Sequence, residues 1–258
     1  MGPKQDAALD RLGRTFRISH GIFIHGDTEV IRTRIREDRV IILQKLLVVD
    51  LLAEREAFGG KGVEEIVKHF PNHEVLLWAP HTDEARDYGF GIRVQEATDA
   101  DVVVITGSRR NVSMWEDWMD DVAKLIRECE VPLYGICFGH QIICKALGGE
   151  VVRASEGSTM MAEVTYSNGS ISMQLFTHQD HVIDAGEMEV VGSAEHCEIA
   201  VCKHPNRPIR TVQFHPEAVK SLLDYSVECG DLSVEERSAF GDEEQDLDVT
   251  DSLIRPKF

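Results

Sequence analysis

Val131-Pro-Leu-Tyr-Gly135-Ile-Cys137-Phe-Gly139-His-Gln141-Ile-Ile-Cys-Lys-Ala-Leu147 decides the fold. A short apolar run passes without a spacer into a helix-length segment, and the join carries a cysteine with glycines two positions to either side. A residue at such a turn is pressed into strained backbone geometry with its side chain above the sheet, and the glycines leave room where strand and helix cross. The stretch reads as a nucleophile elbow. The helix N-terminus then faces the sulfur with unpaired N–H groups and favours the thiolate, the form that attacks carbonyl carbon. Taken by itself, so short a motif also fits a buried core cysteine in a glycine-flanked turn.

Outward from this join the alternation repeats. Leu46–Asp50, Glu74–Ala79 and Asp101–Gly107 read as short buried strands, Val63–Phe70 as a helix stopped by Pro71, and Ser113–Glu130 as a longer helix. Strands alternating with helices imply an α/β fold: a mostly parallel central sheet with helices on both faces, binding at the carboxyl ends of its strands. After Gly148-Gly149, short strands at Met161–Tyr166, Met188–Ser193, Ile199–Val201 and Ile209–Phe214 predict a smaller added mixed sheet.

The chain of 258 residues has 27 basic and 45 acidic side chains, a net charge of −18, and is long enough to bury a sizeable core. Such a charge repels phosphate backbones, so nucleic acid is not an expected partner. No apolar run of membrane-spanning length and no secretion signal is evident, which predicts the cytoplasm and no membrane contact. The six cysteines have no regular framework, so reduced thiols are expected. Charge is uneven: Asp224 to Asp251 holds eleven acids against Arg237 alone, whereas residues 1–44 hold six acids and eight bases. We therefore expect three parts: an N-terminal extension of unknown role (1–44) whose Val30–Leu43 stretch suggests strands, a catalytic domain (45–223), and a solvated acidic tail (224–258).

A thiolate nucleophile needs a base. Thr211-Val-Gln-Phe-His215-Pro-Glu217 offers one at the end of a strand: His215 to exchange protons with Cys137, and Glu217 to hold the imidazole tautomer and stabilise its cation. Acyl transfer also needs donors for the developing oxyanion. The N–H of Phe138 and one from the Thr106-Gly107-Ser108 strand end, Gly107 or Ser108, are placed to converge on it.

Together, Gly135-Ile-Cys-Phe-Gly-His-Gln141, Ala146-Leu-Gly-Gly149 and Gln213-Phe-His-Pro-Glu217 resemble the class I (triad-type) glutamine amidotransferases over about Lys45 to Lys220. Thr177-His178-Gln-Asp180-His181-Val and Ala194-Glu-His-Cys-Glu198 look most similar to the glutaminase domain of GMP synthase and its stand-alone relatives. The resemblance implies a flavodoxin-like fold and hydrolysis of the glutamine side-chain amide through a γ-glutamyl thioester, without a cofactor. Carried over position by position, Cys137 is nucleophile, His215 base and acid, Glu217 its orienter, and Gly107 and Phe138 the oxyanion donors. Gln141, His178 and Asp180 match positions near the amino-acid end of bound glutamine. Two departures matter. Ser108-Arg109-Arg110 stands where the family commonly continues with glycine and proline, and no Ser-Gly-Gly-Val-Asp-Ser-like loop for adenylating an acceptor occurs. Ammonia would then pass to a separate ATP-using synthetase, with a nucleotide or nucleobase among the candidate acceptors.

A metal is not expected: His178, His181, His196, Cys197, Cys202 and His204 share one region without the recurring short spacing of a zinc tetrad. His140 and Cys144 read as structural. Two further readings stay open, a γ-glutamyl peptide hydrolase acting alone and a degenerate regulatory module.

Overall fold

The structure, a computed structural model, describes residues 43–258. The expected N-terminal extension, with its strands before Leu43, lies outside the described residues.

The strands are β1 (Gln44–Val49), β2 (His73–Trp78), β3 (Ile92–Val94), β4 (Val102–Ile105), β5 (Leu133–Ile136), β6 (Glu150–Tyr166), β7 (Ile171–Asp184), β8 (Glu189–Ala194), β9 (Cys197–Lys203) and β10 (Ile209–Val212). The helices are α1 (Gly62–Val67), α2 (Trp118–Glu128), α3 (Phe138–Ala146), α4 (Lys220–Glu228) and α5 (Val234–Ala239). Among the described residues one ten-stranded sheet runs β3-β2-β1-β4-β5-β10-β9-β8-β6-β7. Its first six strands pair in parallel and the remaining pairs are antiparallel, so the added mixed sheet is a continuation of the parallel one.

Central parallel strands are covered on both faces and so read as unbroken apolar runs. Leu46, Leu47, Val48 and Val49 are all fully buried. Because a strand alternates faces, they feed opposite layers: Leu47 and Val49 pack with Met119, Val122 and Ile126 of α2 and with Ile142 and Ile143 of α3. Leu46 and Val48 pack with Val63 and Ile66 of α1. The helical spacing of Met119, Val122, Ala123 and Ile126 makes one buried stripe on α2.

The acidic C-terminal stretch corrects its reading as a solvated tail. It holds most of α4, all of α5, whose Ser233 and Glu236 form a reciprocal capping box, and a wide last turn at Thr250–Ile254. Leu247, Val249 and Leu253 lie in the same layer as Leu46 and Val48, while Leu232 and Phe240 join Leu175, Ala218 and Leu223 in a third cluster. Most of the acids stay at the surface; widely spaced apolar residues do the anchoring.

Candidate active site

The elbow forms where β5 ends. Cys137 has φ 50° and ψ −100°, a left-handed conformation that costs an L residue of order 1–3 kcal/mol and persists only where surroundings fix it. Its N–H donates to the Val212 carbonyl at 2.8 Å, tying it to β10. The flanking glycines are required by space. A Cβ on Gly135 would lie 2.6 Å from the Gly139 carbonyl, and one on Gly139 would lie 2.3 Å from the Ile105 oxygen of β4. Strand and helix therefore cross backbone to backbone.

Strand β10 lies beside β5, so the chain that follows it reaches the same sheet edge. His215 Nδ1 donates to Glu217 Oε1 at 2.8 Å, leaving Nε2 as the basic nitrogen. Both side chains are buried. Burial alone would discharge His215, but the neighbouring Cys137 and the Glu217 carboxylate outweigh it and hold its pKa well above the ordinary histidine value. Gly107, past the end of β4, touches both partners: a Cβ there would lie 2.8 Å from His215 Cε1 and 3.7 Å from Cys137 Cβ. The N–H of Phe138 is among the first of α3, which have no partner within the helix.

Cys137 and His215 open on a cleft of about 340 Å³ whose lining includes Phe138, Gln141, His178 and Asp180. Of the sequence-predicted residues, Cys137, Phe138, Gln141, His178, Asp180 and His215 thus line one cavity, with Glu217 held against His215 and Gly107 close to the Cys137–His215 pair. Gln141, buried, donates to the Asp180 carbonyl at 2.9 Å and to Gln213 Oε1 at 3.1 Å. The Asp180 carboxylate accepts from Ser113 N–H at 2.8 Å and from its hydroxyl at 2.7 Å, so it also anchors the loop ahead of α2. The Ser108-Arg109-Arg110 turn sits at the rim with Arg55 and Arg153. Arg109 donates to the Asp231 carbonyl at 2.8 Å, and Arg55 pairs with the Asp231 carboxylate at 3.2 Å.

Several contributors escaped sequence reasoning. Gln213 Nε2 and the Thr177 carbonyl each lie 3.6 Å from Cys137 Sγ. Gln245, inside the acidic run, donates to the His215 carbonyl at 2.8 Å and to that of Ala218 at 3.2 Å. Gln213 stands within a motif read from sequence; no spacing signal marks Gln245. Two thiol and imidazole clusters, His140–Cys144–Cys202 and His178–His181–Cys197, have donor sets able to hold a metal.

Residues 72–227, more than half of the chain, match the family model for glutamine amidotransferase class-I. A curated relative from Methanothermobacter thermautotrophicus, named as one subunit of a glutamine-hydrolyzing GMP synthase, is 35% identical over 101 residues, 36% of this chain and 54% of that protein. GMP synthase (glutamine-hydrolyzing) of Agathobacter rectalis is 29% identical over 185 residues, 68% of this chain but 32% of its own length. The chain thus spans about half of the first relative and a third of the second. A crystal structure of a glutamine amidotransferase from Thermotoga maritima shares the fold, with TM-score 0.59 and 19% identity over 75% of this chain and 85% of that one. Among the described residues no helix is long and apolar enough to cross a membrane.

Proposed function

We infer the activity from the family: the chain belongs to the class-I glutamine amidotransferases, and its cleft supports hydrolysis of the glutamine side-chain amide. The carrying observation is Cys137 at φ 50° beside a buried His215–Glu217 pair 2.8 Å apart. In this reading the Cys137 thiolate adds to the amide carbon. The oxyanion forms against the N–H groups of Gly107 and Phe138, donors worth roughly 10²–10³ in rate each. The His215 imidazolium gives its Nε2 proton to the leaving nitrogen, ammonia departs, and a γ-glutamyl thioester remains on Cys137. The now neutral imidazole takes a proton from water as its oxygen attacks the thioester, releasing glutamate and restoring the ion pair. Glu217 keeps the imidazole oriented and offsets its charge throughout. Gln141, His178 and Asp180 line the end of the cleft assigned to the amino acid group.

In this reading the released ammonia is consumed by an ATP-using synthetase partner, a division of labour supported by the relative named as one subunit of GMP synthase. Ammonia release from glutamine tests the reading. Cys137→Ala is expected to lower it at least about a thousandfold while the fold survives. Release unchanged in that variant rejects the assignment.

Hydrolysis of γ-glutamyl peptides is a second reading, and a separate observation favours it. The 340 Å³ cleft has Arg55, Arg109, Arg110 and Arg153 in its lining, which suits a longer γ-glutamyl peptide carrying a further carboxylate. The same thioester would then pass to water with an amino acid as leaving group. Turnover of γ-glutamyl dipeptides faster than glutamine, without a partner, would select it.

A further inference from the structure

The two thiol and imidazole clusters differ in what their nitrogens already do. In each, the candidate ligand atoms all lie within 4.8 Å of one another. In the first, His140 is fully spent: Nε2 donates to the Ile199 carbonyl at 3.0 Å, and Nδ1 accepts from the Thr211 hydroxyl at 2.8 Å. No lone pair is left for a cation. In the second, His178 Nδ1 donates to the Asp180 carbonyl at 3.0 Å, so Nε2 keeps its lone pair. Among the described residues that buried Nε2 has no partner, on a residue only 9% exposed. A buried acceptor left unpaired costs free energy that coordination would recover, and the bond at Nδ1 already sets the tautomer and ring angle a ligand needs.

The neighbours fit the same use. The His181 ring stands 4.5 Å from that of His178, centroid to centroid, and the His196 ring 5.9 Å from it, with His196 Nε2 likewise buried and unpartnered. Cys197 is buried, and a bound ion would take its sulfur as thiolate, the proton passing to solvent.

We propose that His178, His181 and Cys197 form a three-ligand site for a zinc-class divalent transition metal bordering the Cys137 cleft. Imidazole and thiolate are the donors such ions select. Zinc bond lengths of about 2.0 Å to nitrogen and 2.3 Å to sulfur ask these side chains to close by about an ångström. The ligands come from β7 and from the start of β9, so an ion would clip the two together. Sequence spacing concealed the site: residues three apart on a regular strand face opposite ways. The pairing of β7 with β6 slips between Arg153 and Ser158, opposite this stretch.

Metal binding at these residues does not depend on the amide chemistry, and it is read directly. The chain carrying Cys137→Ala, which removes the cleft thiol as a rival ligand, is titrated with Co²⁺ and then with Zn²⁺. We expect one equivalent of Co²⁺ with a thiolate-to-cobalt charge-transfer band and tetrahedral d–d bands, all displaced by Zn²⁺. Adding Cys197→Ser removes the charge-transfer band. Adding His181→Gln, at a half-buried position less prone to misfolding, weakens Co²⁺ at least about tenfold. Adding Cys202→Ser changes neither. Absence of stoichiometric binding by the folded parent, or bands that follow Cys202 instead of Cys197, overturns the proposal.

Discussion

Gly107 and Gly139 lack side chains for different reasons, and the difference is measurable. A methyl on Gly139 would press on the backbone oxygen of Ile105, which nothing flexible can relieve, whereas a methyl on Gly107 would press on the edge of the His215 ring. Gly139→Ala should therefore lower Tm strongly. Gly107→Ala should leave Tm nearly unchanged and cut kcat/KM for glutamine by about a hundredfold, the scale of a 1 Å misplacement of a reacting group. Thermal melts and steady-state kinetics on both variants check the pair, and a Gly107→Ala enzyme with full activity would contradict the placement of His215. Glu217 acts on the same imidazole through charge. Glu217→Gln removes a carboxylate that helps hold His215 protonated, so the alkaline limb of kcat/KM moves to lower pH and the rate falls by roughly 10²–10⁴; an unmoved limb would separate Glu217 from the site. Cys137, His215 and Glu217 were legible in sequence because each sits in a contiguous motif at a strand end. Gln245 was not, since its reach to the His215 carbonyl exists only once the acidic run has folded back.

At the level of elements, the same fold-back explains what sequence reasoning missed. A run holding eleven acids and one base looks solvated, yet Leu253 is fully buried and Phe240 nearly so. Mean charge conceals a few well-placed anchors. Strand β7 was hidden for the converse reason: its buried face carries Ser172, Gln174, His178 and Asp180, so the apolar alternation that reveals a strand is absent. Thr177, His178, Gln179 and Asp180 of the same strand line the cleft. Of the parallel strands, β1, β2, β4, β5 and β10 were read within a residue or two of their observed ends, and the three-residue β3 was not read at all. Two substitutions test the C-terminal segment as part of the domain. Leu253→Ala should cost about 2–5 kcal/mol in denaturant unfolding, as for other fully buried leucines; a value near zero would restore the solvated-tail reading. Gln245→Glu should lower kcat more than Gln245→Ala, because it sets a carboxylate against the carbonyls of His215 and Ala218.

For the whole molecule, two electrostatic effects oppose one another as pH falls, and their windows decide the outcome. A net charge of −18 makes the folded chain repel itself, and acidification relieves this mainly where carboxylates titrate, below about pH 5. Buried imidazoles act earlier. Burial holds His140 at about 4 and His178 at about 3, both below the unfolded value near 6.5. The unfolded chain therefore binds protons that the folded one refuses, and stability present above pH 6.5 is lost as pH falls toward these values, at up to roughly 1.4 kcal/mol per pH unit for each group. His215 has the opposite sign: its raised pKa stabilises fully below 6.5 and loses that contribution only as pH rises, so it adds no slope in this window. Between pH 6.5 and 5 the imidazoles should win. In enough salt to screen the surface repulsion, Tm is expected to fall steadily across that interval, and His140→Gln to show a shallower fall than the parent. Parallel slopes in the two proteins would mean that His140 is not held neutral in the core, and that its bonds to Thr211 and Ile199 do not fix α3 against β9 and β10.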